Sequence, residues 1–140
     1  MKLWKAALIP AGVCALTYLT VHGRKDHPGW ETFERVRFAH RGLYGPGVPE
    51  NSLAAFRRAA EAGCGAELDV HLTADGYLAV VHDSGLARMC GVEAKVEDLT
   101  AEQLGRLRLA GSGEPIPFLE QVVPLFEGRG PLLVELKTAG

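Results

Sequence analysis

Residues 63–83 read GCGAELDVHLTADGYLAVVHD, and the period of this stretch decides what the chain builds. From Ala66 to Val70 apolar and acidic residues alternate, the period-two signature of a strand with one buried face. Ala66, Leu68 and Val70 then point one way. Glu67 and Asp69 stand together on the other side, about 7 Å apart. Neighbouring carboxylates repel, and a divalent cation held between them removes the conflict. All-oxygen ligands suit magnesium or calcium, and no His/Cys group has the spacing of a tetrahedral zinc site. A solvated strand face is the competing reading of the acidic pair. Ala74-Asp75-Gly76 is a hairpin signal, after which Tyr77 to Val81 returns as a strand ending on His82-Asp83. An imidazole is thereby delivered to the strand end nearest the carboxylates.

Upstream, Arg35 to His40 reads as a first strand with Val36, Phe38 and His40 on one face. A glycine- and proline-rich loop, Arg41 to Pro49, leads into a helix from Ser52 to Ala62. Asn51 or Ser52 caps it, Gly63 stops it, and Leu53, Phe56, Ala59 and Ala60 form its apolar stripe. Downstream, Thr100-Ala101-Glu102-Gln103 is a capping box, with Leu99 placed to staple onto Leu104. Pro117 opens a third helix with Leu119, Val122, Val123 and Phe126 inward. Pro124 kinks or shortens this helix, and Gly128 ends it. Pro131 to Lys137 is an apolar strand that puts Glu135 and Lys137 on one face. Strands alternating with helices predict an α/β fold with a parallel sheet. His40, Glu67, Asp69, His82, Glu135 and Lys137 all fall toward the C-terminal ends of their strands, where barrel enzymes keep their sites. A doubly wound nucleotide-binding sheet is disfavoured, because the chain has neither a GxGxxG nor a P-loop pattern.

The chain has 140 residues and a formal charge of −2, enough for one modest core and without the basic stripe of a nucleic-acid binder. Cys14, Cys64 and Cys90 are odd in number and widely spaced, which fits neither a disulfide framework nor a metal knuckle. Residues 1–22 differ from the rest: Lys2 and Lys5 precede an apolar run from Ala6 to Val21, interrupted by Pro10. This reads as an N-terminal hydrophobic helix serving as a signal anchor, with a cleaved secretory signal, and hence a secreted product, as the alternative. Residues 23–34 read as a polar linker. The side of the membrane and the oligomeric state are not readable.

Taken as one site, three carboxylates (Glu67, Asp69, Glu135) can hold a hard cation. Arg41 and Lys137 offer fixed positive charge to an anionic, tetrahedral group. His40 and His82 can act as an acid and base pair. Phosphodiester cleavage calls for all three functions: charge neutralisation, nucleophile activation and leaving-group protonation.

These residues sit in segments that follow one another in a known order. They are His40-Arg41-Gly42, Pro49-Glu50-Asn51-Ser52 with Ala55-Phe56, GAELDV at 65–70 and TADG at 73–76. VVHD at 80–83 follows with Leu86 and Arg88, then Ile116-Pro117 with Leu119-Glu120, and VELK at 134–137. In this the chain resembles the glycerophosphodiester phosphodiesterases, a branch of the phosphatidylinositol-phospholipase-like TIM barrels. The resemblance implies that Glu67, Asp69 and Glu135 are metal ligands for calcium or magnesium, His40 and His82 the acid/base pair, and Arg41 and Lys137 the phosphate-binding cations. It puts Asn51 at the rim of the site. It implies hydrolysis of small glycerophosphodiesters to sn-glycerol 3-phosphate and an alcohol. A lipid phosphodiesterase of the phospholipase type and a non-catalytic phosphodiester-binding fragment are the alternatives. Phe118 departs from the Thr or Ser that relatives often carry as a helix cap.

A (β/α)8 barrel takes about 250 residues, and residues 35–140 supply well under half of that. The expectation is therefore the N-terminal portion of a TIM barrel, an incomplete domain at 35–140 with open sheet edges.

Overall fold

The computed structural model describes residues 29–109 and 111–138. The signal-anchor reading of residues 1–22 lies outside them. Among the described residues no helix is long and apolar enough to cross a membrane. The chain divides into two compact units at Glu34/Arg35. Of the first, the described part includes a single helical turn, α1 (Trp30–Phe33), inside the stretch expected to be plain linker.

The second unit carries the sheet. β1 (Phe38–His40) is followed by α2 (Leu53–Glu61), β2 (Gly65–Leu72) and β3 (Leu78–Val80). Two short helices, α3 (Ala87–Cys90) and α4 (Ala101–Gly105), flank a 3-10 turn at Val96–Asp98; α5 (Leu119–Phe126) and β4 (Leu132–Leu136) complete it. β1 and β4 both run parallel to β2, whereas β3 is antiparallel to it. Ala66 and Glu67 pair with β1 and β4 at once, and Val70 pairs with β3 and β4. A strand has two hydrogen-bonding edges, so β4 occupies one and β1 and β3 share the other. β1 comes up that edge to the level of Glu67, and β3 comes down it to the level of Val70. Their C-terminal ends face each other across Leu68–Asp69.

Two apolar clusters hold this arrangement, and β3 separates them by its own alternation. Val80 joins Phe56, Ala59, Ala66, Leu68, Val70, Val122 and Phe126 between sheet and helices. Ala79 and Val81 face a second cluster with Leu86, Met89, Val96, Leu104, Leu109 and Ile116. The Phe56 and Phe126 rings meet edge to face at 6.4 Å, tying α2 to α5.

Several elements differ from the sequence expectation. β1 begins at Phe38, because pairing with β2 starts only at Phe38 opposite Gly65. β2 continues past Val70 to Leu72, so Glu67 and Asp69 lie within the strand; the antiparallel β3 is the return strand that the hairpin signal at Ala74-Asp75-Gly76 predicts. Ser52, not Asn51, caps α2, its hydroxyl accepting from the Ala55 N–H at 3.1 Å. The Thr100 capping box is present as expected. α5 starts at Leu119 rather than Pro117 and runs through Pro124 to Phe126. The Gln121 side chain accepts from the Phe118 N–H at 2.9 Å, which closes the helix start without a Ser or Thr. Val123 is half exposed and lines a groove with Tyr77 and Phe118 instead of entering the core. On β4, Leu133 and Leu136 are exposed, the uncovered apolar surface expected of an open sheet.

Candidate active site

The loop after β1 is built around two non-glycine residues in the left-handed region, Arg41 (φ 56°) and Asn51 (φ 53°). Such conformations cost on the order of 1–3 kcal/mol each and persist only when neighbours fix them. Here the Asn51 N–H donates to the Arg41 carbonyl at 2.9 Å, and the Arg41 N–H donates to Glu67 Oε2 at 3.1 Å. Between them Gly42 (φ 79°) lies so close to α2 that a Cβ would sit 2.8 Å from the Ala55 Cβ. Glycine is required there both for its backbone angle and for its lack of a side chain.

Asp69 is the buried centre of the site, 1 % exposed. Asn51 Nδ2 donates to its Oδ2 at 3.2 Å, Lys137 Nζ lies 3.1 Å from its Oδ1 and Arg41 Nε 3.5 Å from its Oδ2. Burial pushes its pKa up, but the hydrogen bonds from Asn51 and Lys137 and the charge of His82 outweigh this and hold it below the ordinary value. Lys137 also bridges to Glu135 Oε1 at 2.6 Å. That contact, opposed by burial and aided by Asp69, raises the lysine above its usual range. Glu67, Asp69 and Glu135 each bring one carboxylate oxygen to within 4.8 Å of the others. Period two on β2 and the Asp69↔Glu135 register with β4 produce this group.

The two histidines close the site from opposite strand ends. His40 ends β1, its side chain 65 % exposed and its Nε2 3.9 Å from Glu67 Oε2. His82 follows β3, where the Val81 N–H donates to the Asp69 carbonyl at 3.1 Å. Its Nδ1 bonds Asp83 Oδ1 at 2.7 Å, so Nδ1–H donates and Nε2 is left for chemistry. Hydrogen bonds from Arg88 and His82 hold the Asp83 pKa down at about 2.

All eight residues singled out from the sequence thus lie on one side of the sheet, at the meeting of β1, β2, β3 and β4. Asn51 is a correction: it is buried at 1 % and bonded to Asp69, part of the floor and not the rim. The sequence reading gave no role to Glu50, His71, Asp83, Arg88 or Glu97. His71 is buried, its Nδ1 2.7 Å from Glu97 Oε1 and its Nε2 3.0 Å from the His82 carbonyl. It shares the face of Glu67 and Asp69 by the same alternation, so its place was legible. Glu50 accepts from both Arg41 and Arg88.

The donor set fits a hard divalent cation. Three carboxylate oxygens converge, and the amide oxygen of buried Asn51 has no hydrogen-bond partner. The converging groups are all carboxylates, the oxygen donors that a hard cation prefers.

Known proteins resemble this chain in both sequence and fold. A sequence model of the glycerophosphoryl diester phosphodiesterase family matches residues 40–137. A glycerophosphodiester phosphodiesterase of Caldanaerobacter subterraneus subsp. tengcongensis is 43% identical over 109 residues, 71% of this chain and 44% of the relative. The crystal structure of glycerophosphodiester phosphodiesterase from Agrobacterium tumefaciens superposes with a TM-score of 0.67 at 31% identity, covering 74% of this chain and 48% of that one. An Oleispira antarctica phosphodiesterase, solved with the product sn-glycerol-3-phosphate, superposes at 0.67 and 28% identity, covering 74% and 45%. The chain spans less than half the length of the curated relatives it matches.

Proposed function

This chain belongs to the glycerophosphoryl diester phosphodiesterase family, and on that premise we propose that it supplies the first strands of a (β/α)8 barrel that hydrolyses glycerophosphodiesters to sn-glycerol 3-phosphate and an alcohol. The observation that carries this reading is the head-on approach of β1 and β3, which brings His40 and His82 to the same side of the Glu67–Asp69 pair.

Arg41 and Lys137 bind the anionic phosphoryl oxygens, Arg41 with a planar fork and Lys137 as a point charge. One imidazole takes a proton from the attacking water oxygen as it bonds to phosphorus. The other returns a proton to the alcohol oxygen as its bond to phosphorus breaks. Glu67, Asp69 and Glu135 hold a divalent cation, calcium or magnesium, which when bound neutralises phosphoryl charge. Asn51 fixes the Asp69 carboxylate, and Asp83 keeps His82 Nε2 free for proton transfer. The exposed leucines of β4 support further barrel strands beyond it. The lysine-flanked apolar stretch at Ala6–Val21 supports attachment to a membrane.

The test is incubation with glycerophosphocholine and, separately, with intact phospholipid, each with calcium or magnesium and with chelator. Release of sn-glycerol 3-phosphate that stops on chelation is the expected result. Cleavage of phospholipid alone would replace this reading with a lipid phosphodiesterase, and bound metal with no turnover of either would leave a binding fragment.

A further inference from the structure

Three charged side chains outside the groups that touch substrate, Glu50, Asp83 and Arg88, tie the loop after β1 to the segment after β3. Arg88 Nε donates to Asp83 Oδ2 at 2.5 Å, and Arg88 Nη2 donates to Glu50 Oε1 at 2.7 Å. The same Glu50 oxygen accepts from Arg41 Nη1 at 3.1 Å. Asp83 turns its other oxygen to His82 Nδ1. The chain of contacts runs from the phosphate-binding arginine to the proton-transferring histidine.

We propose that Glu50 and Arg88 are positioning residues: Arg88 locks the Asp83–His82 pair so that the ring stays in its Nδ1–H form, and Glu50 holds Arg88 and Arg41 together. This rests on the proposed function for what His82 and Arg41 do, but not for where they sit. An aspartate adjacent in sequence to its histidine is free to turn about two side-chain bonds. With Oδ2 taken by a guanidinium nitrogen, Oδ1 is kept on the ring. Arg88 needs its fork for this, because two of its nitrogens meet two different carboxylates. Glu50, whose side chain is only 15 % exposed, lies between two guanidiniums that would otherwise repel. Burial works against its charge, yet Arg88 and Arg41 more than compensate and hold its pKa below the ordinary value. Removing that one negative charge drives the two arginines apart and frees Asp83.

The experiment is long-range proton–nitrogen correlation NMR on the full chain carrying nitrogen-15 histidine, at a pH where His82 is neutral. It compares the unaltered chain with Glu50→Gln, Arg88→Gln and Arg88→Lys. The unaltered chain is expected to show His82 as the Nδ1–H tautomer, with Nε2–H becoming the major form in all three variants. Arg88→Lys keeps the charge and loses the fork, so a His82 signal like that of the unaltered chain in this variant overturns the proposal. So does an unchanged tautomer in Glu50→Gln. Should Arg88→Gln fail to fold, the other two carry the test. Where glycerophosphocholine is turned over, Arg88→Lys lowers kcat roughly 10–100-fold with KM little changed. The tautomer is read without any turnover, so an inactive chain counts against the proposed function alone.

Discussion

The two strand ends that meet over Asp69 are made differently. At the end of β1, His40 is mostly exposed, with Glu67 3.9 Å away. At the end of β3, His82 is half as exposed, with its ring bonded to Asp83 and its carbonyl facing His71. The backbone reverses the contrast. β1 leads into the left-handed Arg41, pinned by Glu67 and Asn51, whereas His82 needs no unusual angle. One end fixes its main chain and leaves its imidazole loose; the other fixes its imidazole through side chains. Preorganisation at this site is therefore uneven, and His82 is set before any ligand arrives.

Replacing each histidine by alanine probes both ends at once and carries the largest effect. Each should lower turnover of glycerophosphocholine by roughly 10²–10⁴-fold. His82→Ala should leave cation binding intact, since the ring is not among the converging carboxylates. Full activity in that variant would remove the proton-transfer role. Asp83→Asn is next, at roughly 10–100-fold in kcat, because an amide at that position no longer selects the Nδ1–H form. No equivalent change exists beside His40, so its neighbours should matter through metal affinity and not through ring orientation. A steady kcat in Asp83→Asn would erase the contrast between the two ends.

The smallest effect is on acid stability. Asp83 titrates at about 2 in the fold against an ordinary 3.8. A depressed carboxylate stabilises the fold above its unfolded value, so this contribution is complete above about pH 3.8 and is lost as pH falls toward 2. Both partners are partly exposed, which limits it to about 1 kcal/mol after solvent screening. Arg88→Gln should flatten this part of the melting-temperature profile by lowering stability at neutral pH by up to about 1 kcal/mol while leaving it nearly unchanged near pH 2. A profile as steep as that of the unaltered chain would place the acid sensitivity elsewhere.

The sequence made the central strand readable because its alternation is strict: Ala66, Leu68 and Val70 reached the core and Glu67 and Asp69 the opposite face. The same period also carries His71 onto the acidic face, two residues beyond Asp69. Helix α2 was legible from its stripe, but Asn51 and Ser52 are both good caps. Only the positive φ at Asn51 turns its side chain to Asp69 and leaves the cap to Ser52. Val123 fits the helical stripe of α5, yet it lies at its margin, beside a groove the one-dimensional pattern does not show. The Glu50–Arg88 contact spans 38 residues. Spacing carries no signal at that range, so only the folded chain reveals it.

The proposed chemistry requires β2 and β4 to form one cation site from Glu67, Asp69 and Glu135. Calorimetric titration of the chain with magnesium and calcium tests this directly, alongside Glu135→Gln and the Glu67→Gln, Glu135→Gln double variant. One ion per chain, weakened by the single change and abolished by the double, is the predicted result. No binding by the unaltered chain, or equal binding by the double variant, would contradict it.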